Sequence, residues 1–235
     1  MFDKRATEPE RIDTGDYTPE EYQTFLREIA FINRYVGDGR ALKKSLLHEI
    51  EQKDLREFSV LDVGCGSGEL LRMIAEFADS SDRRATLVGI DLNPISSSTT
   101  HTESADFSAI SSVQGDAFQL PFADDAFDYA ISSLFFHHLT DEQIPIVLKE
   151  MSRVARLGIV IIDLHRDVVP FIGYKIFCFA FRISPLVRQD GSLSIRKGFK
   201  PAELEAIADN AGIATRCVEQ VSPGRVLLTA STKNS

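Results

Sequence analysis

Apolar residues recur along this chain in two alternating rhythms. Short apolar runs at residues 58–63, 86–90, 127–132 and 158–164 have the length and β-branched content of buried strands, and 111–114 reads as a weaker one. Between them, at 69–77 and 142–156, apolar residues fall three and four apart, the spacing of an amphipathic helix. Strand alternating with helix implies a parallel sheet covered on both faces. Near the end comes a helix over 201–211, then strands over 215–221 and 225–230. The turn Ser222-Pro223-Gly224 makes that last pair an antiparallel hairpin.

Before the first strand the rhythm is helical throughout. Tyr22, Phe25, Leu26, Ile29, Ile32, Tyr35 and Val36 form one face, and Thr18-Pro19-Glu20 is a helix start. Gly37 and Gly39 break this helix and 41–50 reads as a second. Residues 1–18 are polar and acidic and are expected to be loosely ordered. The organisation that follows is a helical extension over 1–52 and one α/β domain over 53–235. Residues 96–104 are Ser/Thr-rich, which puts a regular helix there in doubt.

Composition narrows the function classes. The net charge is -9 over 235 residues, so no basic surface is offered to a phosphate backbone, and no nucleic-acid partner is expected. Cys65, Cys178 and Cys217 are scattered, without zinc spacing or a disulfide framework. No metal is expected. The charged start lacks an apolar signal core, and no stretch reaches the ~20 residues of a spanning helix. A cytoplasmic location without stable membrane insertion is expected, and a homodimer stays open.

The chemistry is concentrated in one turn. The strand ending in Asp62 and Val63 runs into Gly64-Cys65-Gly66-Ser67-Gly68, three glycines on alternate positions that let backbone approach a flat ligand. A dinucleotide fingerprint needs a third glycine where Glu69 stands, so the phosphate-binding form fails. The segment resembles motif I of the class I S-adenosylmethionine-dependent methyltransferases, with Asp62, Gly64, Gly66 and Gly68 at the matching positions. Asp91 closes the second strand, followed by Leu92, where an acid can accept both ribose hydroxyls. Asp116-Ala117 resembles that family's adenine-edge segment. Residues 127–133, with Ser132, and then His137-His138-Leu139 resemble the strand-four segment of its quinone-biosynthesis branch.

The resemblance, which covers residues 58–164, implies a Rossmann-like doubly wound fold and S-adenosylmethionine as cofactor. It implies that Asp62, Gly64, Cys65, Gly66, Gly68, Asp91, Leu92, Asp116, Ala117 and Ser132 hold it, with Asp62 acting through the cofactor's amino group or through water. Two departures stand out. The turn after the fourth helix, usually rich in glycine, is Ala155-Arg156-Leu157-Gly158, and the Ser/Thr tract follows Pro94.

Ligands in such sheets bind beyond the carboxyl ends of the strands. That places His137, His138, Asp163 and His165 near the reacting centre, and His137 and His165 are the candidate proton acceptors. Residues 168–183 carry four phenylalanines and a tyrosine where relatives insert an acceptor lid, so 166–200 is read as a lid over a flat, apolar small molecule. An apolar helix packed on the core, a membrane contact or a second subunit are alternatives for that stretch. Arg188, Asp190, Arg196 and Lys197 are read as punctuating a loop. The expected activity is methyl transfer to oxygen, or less readily carbon, of an aromatic small molecule of the quinone or polyketide kind. The alternatives are a non-catalytic cofactor-binding module and an NAD(P)-dependent oxidoreductase.

Overall fold

The computed structural model describes residues 2–33, 37–213 and 216–232. Tyr35, Val36 and Thr215, counted above into a helix and a strand, lie outside these residues. Seven strands form one sheet: β1 (Glu57–Val63), β2 (Arg84–Asp91), β3 (Ile110–Gln114), β4 (Phe127–Ser133), β5 (Ala155–Leu164), β6 (Arg216–Val221) and β7 (Arg225–Ser231). Their order is β3-β2-β1-β4-β5-β7-β6. The first five are parallel, and β7 joins β5 and β6 antiparallel. This is the doubly wound, mostly parallel sheet the alternating rhythm implied. The order reverses between β1 and β4, which opens a crevice at their carboxyl ends.

The strand period of two divides the core. Leu61, Val63, Ile159 and Ile161 pack on one face with Leu148 and Met151 of α7 (Ile144–Val154) and Leu204 of α10 (Pro201–Asn210). Val60, Tyr129, Val160 and Ile162 pack on the other with Leu71 and Ile74 of α5 (Glu69–Ser80) and with Leu42, Leu46 and Ile50 from the N-terminal helices. Adjacent residues of a strand point to opposite faces, so a run buried on both sides is apolar throughout.

Five expectations change. Residues 2–18 are folded onto the domain: α1 (Arg11–Thr14) packs beside α9 (Pro185–Lys197), and Glu10 is only 1% exposed. Their polarity misled because opposite charges meet them inside. α2 (Pro19–Asn33) is followed by α3 (Asp38–Leu42), a π-helical stretch (Lys43–Leu47) and α4 (His48–Gln52), so the second helix starts before Ala41.

The Ser/Thr tract is a helix, α6 (Pro94–Glu103). The Asn93 side chain caps it by accepting from the Ile95 N–H at 2.9 Å, and Pro94 sits in its first turn. Its small polar residues have a packing reason. Ser96 and Thr100 are fully buried, and Thr100 donates to the Gly66 carbonyl at 3.0 Å, where bulkier side chains would not fit.

The loop expected around Arg188, Asp190, Arg196 and Lys197 is instead α9, capped by the Ser184 hydroxyl. Gly191 lets Tyr174 of α8 (Val168–Ala180) press against that helix: a Cβ there would lie 2.1 Å from the tyrosine oxygen. The turn expected at 155–158 is also absent, because α7 ends at Val154 and β5 begins at Ala155.

Candidate active site

The glycine turn between β1 and α5 is built by left-handed backbone. Gly64, Gly66 and Gly68 have φ of 75°, 56° and 75°, a region that side chains disfavour. Each also answers to its surroundings. A Cβ on Gly64 would stand 2.8 Å from the Phe135 ring, and one on Gly68 2.7 Å from Thr100. At Gly66 nothing lies closer than Leu26 at 4.0 Å, so that face of the turn is open to the cleft. Gly64→Ala is therefore expected to destabilise the fold by roughly 2 kcal/mol or more, combining backbone and overlap costs. Gly66→Ala should cost about half as much, with its damage in ligand binding instead. Thermal melts with and without S-adenosylhomocysteine separate the two.

Two acids flank the turn. Asp91, at the end of β2, accepts from the Gly66 N–H at 3.0 Å and the Asn93 N–H at 2.9 Å, fixing the loop. Burial holds its carboxyl above the ordinary range in spite of those bonds. Asp62 is 2% exposed, and its Oδ1 has no hydrogen-bond partner among the described residues. Burial, with the neighbouring Asp91, pushes its pKa up to about 7. A buried carboxylate without a partner is costly, and this one faces the cleft beside an open turn. A hydrogen-bond donor is what its Oδ1 lacks among the described residues.

Cys65, Leu92, Asp116 and Ala117 also line the cleft. Asp116 is exposed and accepts from the Phe118 N–H at 2.9 Å. Ser132 is the exception. Its hydroxyl donates to the Val63 carbonyl at 2.7 Å inside the sheet, and its neighbour Ser133 reaches the cleft instead.

On the acceptor side the short 3-10 turn Phe136–His138 follows β4. His137 Nδ1 lies 2.8 Å from Asp163 Oδ1, and its Nε2 points toward Glu10 at 3.8 Å. The His137 backbone N–H also donates to Asp163, so β5 orients this residue twice. Burial would raise the Asp163 carboxyl, but His137 outweighs it and holds it low. His138 Nδ1 stands 2.7 Å from Asp13. Burial alone would depress His138, yet Glu10 and Asp13 outweigh it and hold the imidazole above its usual range.

Glu10, His137 and His138 stand close enough to suggest a metal site. Lys197 Nζ, however, is 3.2 Å from Glu10 and 3.3 Å from Asp13. Its ammonium already supplies the positive charge these carboxylates need. Asp190 is spent structurally as well, accepting from the Arg11 and Ile12 N–H groups.

His165, just past β5, is half-buried in the cleft wall, and its Nδ1 has no hydrogen-bond partner among the described residues. Burial lowers its pKa, so the imidazole is neutral near pH 7.

Sequence reasoning missed the N-terminal wall of the site. Tyr17 accepts from the Asn93 amide at 2.9 Å, beside Asp91, and Tyr22 meets Ser96 at 2.7 Å. Arg5 reaches across to the Leu139 carbonyl at 3.0 Å. No local pattern signals such contacts, which join residues more than seventy positions apart. The cleft has a volume of about 2690 Å³. That exceeds the roughly 300–1,000 Å³ of a single small-ligand pocket and leaves room for two molecules side by side.

This doubly wound sheet brings a glycine turn and strand-end acids together at its switch point, and known proteins share the arrangement. Residues 60–158 match the family model described as a methyltransferase domain. Among curated proteins, a demethylmenaquinone methyltransferase of Bacillus licheniformis is 28% identical over 123 residues, 52% of this chain and 51% of that protein. A 2-phytyl-1,4-naphtoquinone methyltransferase of Synechococcus elongatus is 32% identical over 118 residues, 48% of each chain. The chain thus spans about half the length of the curated relatives it matches. Among solved structures, an S-adenosylmethionine-dependent methyltransferase from Aquifex aeolicus superposes with a TM-score of 0.66 at 18% identity, over 92% of this chain and all of that one. Human N-acetylserotonin methyltransferase, solved with S-adenosylmethionine, gives 0.64 at 18% identity, over 92% of this chain and 57% of that one. These structures share the fold.

Proposed function

We propose that this protein is a methyltransferase that binds S-adenosylmethionine at the β1 turn and methylates a flat, apolar small molecule of the quinol or phenol kind. The observation that carries the reading is Asp62, a buried carboxyl whose Oδ1 has no hydrogen-bond partner among the described residues, beside a glycine turn whose open face lines the cleft. When bound, the cofactor supplies a methyl group on a sulfonium, already activated for in-line displacement.

The chain's own residues have three tasks. Asp62 takes the cofactor's ammonium, Asp91 its ribose hydroxyls, and the turn at Gly66 the chain between them. The aromatic side of α8 and the N-terminal wall exclude water and align the acceptor, which alone accelerates such a displacement strongly. A hydroxyl acceptor must also lose a proton, and His165 is the residue suited to take it, being neutral and lining the cleft. His137 acts as a positioning residue, locked by Asp163 under the Glu10 wall. This assigns oxygen as the methylated atom. Quinone-type acceptors are supported by the names of the sequence relatives, and residues 166–200 serve as the acceptor lid. No helix among the described residues is long and apolar enough to cross a membrane.

Calorimetry with S-adenosylhomocysteine tests the cofactor, and radiolabelled methyl transfer to a panel of quinols and phenols tests the activity. Binding of NAD in place of S-adenosylhomocysteine would overturn the reading. His165→Gln is expected to lower kcat about a hundredfold, with the rise of rate through the histidine range removed from the pH profile and KM little changed. An unchanged profile would take His165 out of the mechanism.

A further inference from the structure

Helix α8 presents apolar side chains on two sides, and the fold covers only one of them. Pro170, Gly173 and Phe177 line the cleft, and Cys178 is buried against α2 and α9. The side turned from the cleft carries Ile172, Ile176 and Phe179, four and three residues apart and all exposed, Phe179 by 85%, and the exposed Val169 joins this stripe to the rim of the cleft. Phe181, just past the helix, packs against Phe177 and Phe31 instead. A contiguous apolar stripe in water marks an interaction surface.

The charge around it is distinctive. Residues 168–188 contain Lys175, Arg182 and Arg188 and not one Asp or Glu, in a chain whose net charge is -9. All three cations are exposed. Lys175 lies at the edge of the stripe, its ammonium 5.2 Å from the Phe171 ring. The helix is 13 residues long, too short to span a bilayer and suited to lie in its surface plane.

We propose that α8 docks on an anionic membrane surface, with its apolar stripe at headgroup depth and Lys175, Arg182 and Arg188 facing lipid phosphates. The cleft lined by the same helix then opens toward the bilayer, where an acceptor with a lipid tail resides. That last clause rests on the methyl-transfer reading; the docking does not. A second copy is the weaker occupant. The stripe, one side of a 13-residue helix, is narrow for a stable dimer.

The test is co-sedimentation of the full chain with phosphatidylcholine vesicles, with and without phosphatidylglycerol. The expected result is binding to the mixed vesicles that weakens as salt is raised. In Ile176→Asp/Phe179→Asp the affinity should fall about tenfold or more. Both side chains are exposed, so the variant should keep its circular dichroism, melting curve and S-adenosylhomocysteine binding. The proposal is overturned if the protein ignores mixed vesicles at low salt, or if the variant sediments as the parent does. It is equally overturned if light scattering finds a dimer that the same substitutions dissolve. Vesicle binding without S-adenosylhomocysteine binding would sustain the docking and refute the methyl-transfer reading.

Discussion

Asp62→Asn is expected to weaken S-adenosylhomocysteine binding about 30- to 100-fold while leaving the fold at least as stable as the parent. The loss corresponds to roughly 2–3 kcal/mol for one charge-assisted hydrogen bond. Asparagine keeps the shape of the side chain and removes only the charge. The stability side follows from the pKa of about 7, which lies above the ordinary carboxyl value. A group raised in the folded state favours folding while protonated, and that contribution is lost as pH rises through about 7. Above that pH the parent must bury a carboxylate without a partner, whereas the variant need not. Melting temperatures at pH 8 should therefore be equal or higher in the variant.

Ligand binding runs the opposite way. A cationic ligand favours the ionised carboxyl, so parent affinity should rise with pH through about 7 and binding below it should release a proton. Calorimetry in buffers of different ionisation enthalpy reads that proton directly, and the variant should release none from this site. A variant that binds within threefold of the parent would show that Asp62 does not hold the ligand.

The second large effect lies at the far wall of the cleft. Arg225, the first residue of β7, donates from Nε to Asp38 Oδ1 and from Nη2 to Oδ2, the latter at 3.0 Å. Both side chains are 4% exposed. Burial raises the Asp38 carboxyl and Arg225 opposes that shift, so removing the arginine leaves the acid with the penalty alone. Arg225→Met is expected to cost about 3–5 kcal/mol, because it strands a buried charge. For a chain of this size that is a fall of about 6–20 °C in Tm. The double variant Arg225→Met/Asp38→Leu should recover much of it, since the desolvation cost leaves with both partners. Thermal melts of the two singles and the double decide, and additive losses would refute the coupling.

This pair also shows where sequence reading stopped. Asp38 and Arg225 are 187 positions apart, and nothing local to either advertises the other. The same holds for Glu10 with Lys197 and for Tyr17 with Asn93. Residues 1–18 looked like solvated chain because charge usually means water, and only the folded partner reveals a charge that is neutralised inside. Ser96 and Thr100 looked like a weak helix until the Gly66–Gly68 backbone supplied the reason for small side chains. The reading of a loop around Arg188, Asp190, Arg196 and Lys197 failed for the same reason as that of residues 1–18, since Asp190 and Lys197 are buried against Arg11, Glu10 and Asp13.

What the sequence determined by itself is local in origin. The two-residue rhythm of Leu61, Val63, Ile159 and Ile161 against Val60, Val160 and Ile162 dictates strands buried on both faces, hence a parallel sheet. The glycines after Asp62 require left-handed backbone, which places a ligand turn at a strand end. Those are properties of short segments, and short segments carry them in their residues. The tertiary structure alone decided that Asp62 has no partner, that His137 is locked by Asp163, that Ser132 faces the sheet, and that an N-terminal wall closes the cleft. Each depends on which distant groups share a small volume, and the energy of a buried charge is set by those neighbours rather than by its place in the chain.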